Sequence, residues 1–135
     1  MKSRFTKTWK SSSQPRRQRK YRYNAPIHIK RRFLSVNLSK DLRKQYGTRN
    51  FVVKKGDKVK VLRGNHKDTE AKVTDVLIKK GIVYLAGIEA TRREGAKSRI
   101  PFQPSNLQIV ELDLSDKIRK EKLKSLKKTE TKNDK

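Results

Sequence analysis

From Lys58 onward the chain alternates apolar and polar positions. Val59 and Val61 stand between cations in KVKVLR (Lys58–Arg63), and Val73 stands between Lys72 and Thr74 in AKVTDVLIKK (Ala71–Lys80). A period of two marks a strand with one buried face. IVYLAGIEA (Ile82–Ala90), SRIPFQ (Ser98–Gln103) and NLQIVEL (Asn106–Leu112) continue the series, punctuated by Gly56-Asp57, Gly64-Asn65 and Gly81. Pro101 and Pro104 assign SRIPFQ to an edge. About five short antiparallel strands predict a mainly β fold, and closure into a small barrel would remove its exposed edges.

On either side the spacing changes to that of helices. APIHIKRRFL (Ala25–Leu34) has Pro26 at a first helical turn and Ile29 and Phe33 four apart. LSKDLRKQYG (Leu38–Gly47) has Ser39 as N-cap, Leu42 and Tyr46 on one face, and Gly47 as the stop. Both predicted helices are short and need a surface to fold on. Met1–Lys20 has few large apolar residues and is expected to be disordered in isolation. In LSDKIRKEKLKSLKK, Ser115 and Asp116 cap a helix whose apolar stripe, Ile118, Leu123 and Leu126, is ragged, and TETKNDK (Thr129–Lys135) reads as disordered. The organisation expected is a basic arm (1–25), two short helices (26–50), a β-barrel (51–114), and a basic helical tail (115–135).

Charge sharpens this division. The 135 residues have a formal net charge of +25, with 38% charged and 32% hydrophobic. Residues 1–50 carry 16 Lys and Arg against one acid, residues 51–114 carry 13 against 8, and residues 115–135 carry 9 against 4. A surface so charged repels itself until a polyanion neutralises it, and nucleic acid is the commonest such partner. The tail's stripe is too ragged for a membrane-surface helix. Gly81–Ile88, the longest mostly apolar run, is too short to insert into a bilayer, and nothing near Met1 resembles a secretory h-region. Pro15 and Pro26, with no apolar helical stripe, argue against an organelle-import leader.

The chemistry for catalysis is missing. No cysteine is present, which excludes disulfides, thiolate nucleophiles and cysteine zinc sites. GNHKDTEAK has Thr69 where a phosphate-binding P-loop needs its second glycine. His28 and His66 lie on different segments, which argues against a metal site, and Asp57, Asp68, Glu70 and Asp75 read as solvated partners of nearby lysines. No enzyme, cofactor, metal or small-molecule substrate is expected. Nucleic-acid binding fits in several places. Gln14–Arg32 packs Arg16, Arg17, Arg19, Lys20, Arg22, Lys30, Arg31 and Arg32 around Tyr21, Tyr23, Asn24 and His28. Arginine binds phosphate bidentately and tyrosine stacks on unpaired bases, so this arm is expected to set affinity and its salt dependence. In RGNHK, Gly64 lets the backbone approach a phosphate and expose amide donors, while Arg63, Asn65, His66 and Lys67 supply charge and hydrogen bonds. Lys40, Arg43, Arg49 and Lys72 extend the candidate surface, with Arg92 and Arg93 in the basic loop TRREGAKSR.

KGDKVKVLRGNHKDTEAKVTDV resembles a KOW motif, a strand, a glycine-containing loop and a second strand. With NAPIHIKRR, LSKDLRKQYG and QPSNLQIVELDLSDK in order, the stretch from about Gln14 to Lys117 is similar to archaeal and eukaryotic large-subunit ribosomal protein twenty-four, numbered twenty-six in eukaryotes. The resemblance implies an SH3-like barrel in the cytoplasmic large subunit, a monomer there among neighbouring ribosomal proteins. It would bind the 5′ domain of the large-subunit ribosomal RNA near the polypeptide exit tunnel and act early in assembly. By matching motif, Arg63–Lys67, Arg17–Tyr23 and His28–Arg32 would touch RNA. Two positions depart from the pattern: Ala71 replaces the motif's glycine, and Lys67-Asp68 stands where members often read Lys-Gly. The rival reading is a non-ribosomal KOW factor of transcription elongation or RNA chaperoning.

Overall fold

The computed structural model of the chain describes residues 5–133, with side chains described to Leu126. The five anticipated strands form as β3 (Lys58–Val61), β4 (Glu70–Leu77), β5 (Ile82–Thr91), β6 (Lys97–Phe102) and β7 (Leu107–Glu111). Two more form: β1 (Ser35–Leu38) within the region read only as helices, and β2 (Asn50–Val52) across its boundary with the expected barrel. The sheet order is β2-β1-β7-β3-β4-β5-β6, antiparallel except for the parallel pair β1 and β7. Val59 on β3 lies between Ala71 on β4 and Ile109 on β7. The alternation does what it predicts: Val36, Leu38, Val59, Val61, Val83, Leu107 and Ile109 are fully buried, while their strand neighbours are only partly so.

The sheet remains open, which corrects the expectation of full closure. Its terminal strands β2 and β6 do not pair with each other. Pro101 within β6 has no N–H to donate, so one edge is unfit for a further ladder. The other edge is covered instead: Arg119 of the C-terminal helix donates from Nη2 to the Val52 carbonyl at 3.3 Å.

The predicted helix after Ser39 forms as read, spanning Lys40–Tyr46 as α3, with Ser39 Oγ accepting from Leu42 N and Gly47 closing the helix at φ 67°. Helix α2 spans Ile27–Arg32, and Pro26 sits at its N-cap position rather than inside the first turn. From Phe5 onward the arm corrects another expectation, because it is folded. A short 3-10 helix (Lys7–Ser11) leads into α1 (Pro15–Asn24), which starts with Pro15 in its first turn. Gln18 Nε2 donates to the Trp9 carbonyl at 2.9 Å and the Ser12 carbonyl at 2.6 Å, tying the two together. The Tyr21 ring stacks on Phe5 at 5.2 Å and meets Phe33 edge-on at 5.8 Å. These aromatics are far apart along the chain, so no local window shows the cluster that orders the arm.

The tail helix α4 spans Lys117–Asn133, and Asp116 Oδ1 caps it by accepting from Ile118 N at 2.9 Å. It therefore takes in Thr129–Asn133, which the composition had suggested would be disordered; Met1–Arg4 and residues 134–135 lie outside the described residues. A buried ion pair docks it. Asp57, expected to be a solvated partner of nearby lysines, is 0% exposed. It binds Arg119 through two parallel hydrogen bonds, Nη1 to Oδ1 at 2.6 Å and Nη2 to Oδ2 at 2.7 Å. Leu123 is buried and Leu126 packs against the core beside it, whereas Ile118 is 76% exposed, so only the later part of the ragged stripe docks.

Candidate nucleic-acid interface

Where the cations are already neutralised decides which face is available. Among the described residues every ion pair uses a cation at Lys54 or beyond. Lys55 and Arg99 share Asp75 at 2.5 and 2.7 Å, Lys60 holds Asp68 at 2.9 Å, Lys58 reaches Glu70 at 3.1 Å, and Lys54 pairs with Asp116. The hydrogen bond from Lys55, aided by its charge and by Arg99, holds Asp75 below the ordinary aspartate pKa. The hydrogen bond from Lys60 does the same for Asp68, and the bond to Glu70 raises Lys58. Five of the thirteen cations of residues 51–114 are thus met by the protein's own carboxylates. Residues 1–50 hold a single acid, Asp41, and among the described residues none of the arm's cations has a carboxylate within ion-pair distance.

On α1, Arg16, Arg17, Arg19, Lys20 and Arg22 are exposed. Lys20 lies 5.3 Å from the Trp9 ring centre and Arg22 lies 5.7 Å from that of Phe33, which supports their stems without neutralising them. Tyr21 corrects the reading of both arm tyrosines as base platforms: it is 7% exposed and committed to Phe5 and Phe33. Tyr23 is 82% exposed and keeps that role open. Asn24 ends α1, His28, Arg31 and Arg32 are exposed on α2, and Lys30 is half-buried. Lys40 and Arg49 are exposed. Arg43 is half-buried, and its Nε donates to the Leu38 carbonyl at 2.8 Å, so part of its donor fork serves the fold.

The loop between β3 and β4 is tighter than its composition suggests. Gly64 has φ 96°, outside the reach of ordinary side chains. The amides of Lys67, Asp68 and Thr69 donate inward to the carbonyls of Gly64, Val61 and His66. Those three are therefore spent on the loop's own backbone, so at Lys67 only the side chain is left to face a ligand. Arg63, Asn65 and Lys67 are exposed, while His66 rests edge-on against Phe102 at 6.2 Å. Both departures from the motif acquire a physical meaning. Ala71 lies in β4 opposite Val59 and has no positive φ, so it needs no glycine. Asp68 has φ 64° and is the one described non-glycine residue with positive φ. Its position suits glycine, and its charge is met by Lys60. Lys72 on β4 and Arg92 and Arg93 in the β5–β6 turn are exposed.

The structure gathers these residues into separate concavities. Arg63–His66 face Pro101, Phe102 and Asn106 across one. His28, Arg31 and Arg32 meet Lys54 and Lys122 across another. Arg22 and Lys30 meet Lys79 and Lys80 of the β4–β5 turn across a third. Lys54, Lys79, Lys80 and Lys122 were not singled out from the sequence; the only local signal was the Lys-Lys-Gly of a hairpin tip at Lys79–Gly81. Among the described residues no cluster of His, Asp and Glu suited to a metal occurs, and no helix is long and apolar enough to cross a membrane.

A family model that describes the eukaryotic ribosomal proteins L26 and their archaeal L24-type counterparts matches residues 12–126, which is most of the chain. The chain belongs to this family. The match takes in α1, α2, the whole sheet and the part of α4 that packs on it. A relative named large ribosomal subunit protein uL24 from Methanosarcina barkeri is 44% identical over 113 residues, covering 84% of this chain and 97% of the relative. Proteins of the same name from Methanothrix thermoacetophila and Methanoculleus marisnigri are 46% and 47% identical, over 78% and 83% of this chain and 90% and 93% of theirs. The family is one of structural ribosomal proteins rather than enzymes, which agrees with the ordered series of motifs.

Proposed function

We propose that this protein is a structural constituent of the cytoplasmic large ribosomal subunit, holding large-subunit ribosomal RNA with its arm and the β3–β4 loop. The observation that carries the reading is the uneven neutralisation of charge. Five of the thirteen cations between residues 51 and 114 (Lys54, Lys55, Lys58, Lys60 and Arg99) pair with the protein's own carboxylates, whereas Arg16, Arg17, Arg19, Arg31 and Arg32 are exposed with none in reach among the described residues. Membership of a ribosomal family and relatives named for the large subunit support it. In this reading the sheet is an SH3-like KOW platform with one edge left open, neighbouring ribosomal proteins flank it, and a single copy sits in each subunit. The 5′ domain, the vicinity of the exit tunnel and an early place in assembly follow from the family resemblance.

The test is stoichiometry. Lysate from the source cells is fractionated on a density gradient, the large-subunit peak is washed in high salt, and copies per subunit are counted by mass spectrometry. Near one copy retained through the wash is expected. A substoichiometric or washed-off signal would overturn the reading and favour a non-ribosomal KOW factor.

A further inference from the structure

Two concavities adjoin where the arm meets the β4–β5 turn, and they share Arg22, Lys30 and Lys79. The first, of about 250 Å³, is closed by Lys80 and Gly81 and has no acid in its lining. Gly81 at φ 69° donates its amide to the Leu77 carbonyl at 2.8 Å, which sets the turn, and Ile78 packs on the core and anchors it. Two lysines are thus presented from a rigid hairpin rather than a loose loop. The second concavity is bordered by Tyr23 and by Ile27, which is 61% exposed. An apolar, partly aromatic surface therefore lies directly beside a cluster of four cations. Among the described residues none of the four is in an ion pair.

We propose that this junction is a pocket for one unstacked RNA nucleotide, its base on Tyr23 and Ile27 and its phosphate among Arg22, Lys30, Lys79 and Lys80. The inference rests on the RNA-binding reading above and narrows it to a class of RNA. Cations alone would accept any phosphate backbone. An exposed tyrosine face needs a base whose face is also exposed, and A-form duplex keeps its bases stacked and paired. A bulge, a loop or a strand end offers both groups at once. The hairpin lysines and the arm aromatic come from segments far apart in sequence, so only the folded arm creates the pair.

The probes are a labelled oligouridylate of about twelve nucleotides and a blunt RNA duplex of the same length, titrated by fluorescence anisotropy with the full chain. Tyr23→Ala should weaken oligouridylate binding roughly tenfold, the loss of one base stack, and duplex binding by less than about twofold. Tyr23→Phe should restore it. Lys79→Ala with Lys80→Ala should flatten the oligouridylate log K against log[salt] slope by up to roughly 0.7, the share of the one phosphate the pocket holds. The exposed pair Lys120→Ala with Lys124→Ala, which removes the same charge, should change that slope less. Equal losses for both RNAs on Tyr23→Ala, or equal slopes for the two lysine pairs, would overturn the pocket. No loss for either RNA would also overturn it and leave Tyr23 and Ile27 as a face for protein. A wild-type chain that binds neither probe overturns it too, while the ribosomal assignment is decided separately by the gradient.

Discussion

Replacing Arg119 by methionine keeps most of the side chain's length and removes its charge. In the wild type Arg119 donates to both Asp57 oxygens, to the Asp113 carbonyl at 2.8 Å and to the Val52 carbonyl at 3.3 Å, and it lies 5.4 Å from the Phe51 ring centre; only its Nε lacks a partner. The substitution leaves a carboxylate buried with two donors, the amides of Lys54 and Asp113 at 2.8 and 2.9 Å. An uncompensated buried charge of this kind costs about 3–5 kcal/mol. With a urea dependence of roughly 2 kcal/mol per molar, the unfolding midpoint should fall by about 2 M. Circular dichroism of the full chain in urea measures it. Asp57→Ala should fall further, because it strands the guanidinium and orphans both amides. The double variant should lose less than the sum of the singles, since the pair is a shared interaction. A midpoint shift for Arg119→Met under about 0.5 M, or strict additivity, would refute the view that this pair docks α4.

Four further outcomes are expected. The folded pKa values of Asp68, Asp75, Asp113 and Asp116 lie below the ordinary 3.8, so their contribution is present above that value and is lost as pH falls through the lower folded values. Lys58 and Lys60 are raised above 10.5, so theirs is complete below 10.5 and is lost as pH climbs through the raised values. Thermal melts across pH should show a plateau between these limits, and Asp116→Asn should flatten the acid limb; an unchanged limb would count against the Lys54 pair and the helix cap. Gly64→Ala adds a methyl group that meets nothing within 4 Å, so its cost is backbone strain alone, about 1–3 kcal/mol in a denaturant melt, and no loss would show that φ relaxes freely. Because Asp68 sits at φ 64°, Asp68→Gly should melt above Asp68→Ala, and the reverse order would remove the strain argument. Replacing Arg16, Arg17 and Arg19 together by Gln should flatten the salt slope for ribosomal RNA by about two units if all three meet phosphates, and an unchanged slope would take the arm out of the interface.

Much of this was legible along the chain. The alternation in Lys58–Val61 and Leu107–Glu111, the Ser39 cap and Gly47 stop of α3, the edge position of the proline-bearing β6 and the concentration of charge before residue 50 are local properties, and period, caps and composition report them directly. The motif series likewise carried the family. What tertiary structure decided depends on partners distant in sequence. Asp57 meets Arg119 from 62 positions away, and with that pairing a nominally surface carboxylate becomes the most buried charge described and an uneven helix becomes a docked one. Tyr21 and Tyr23 are near neighbours in sequence, yet one closes an aromatic cluster with Phe5 and Phe33 while the other faces solvent. Nor could the sequence place Lys79 and Lys80 beside Arg22 and Lys30. Spacing along a chain encodes which face a residue takes, but only the packed fold determines what stands opposite that face, and burial and charge depend on that opposite group.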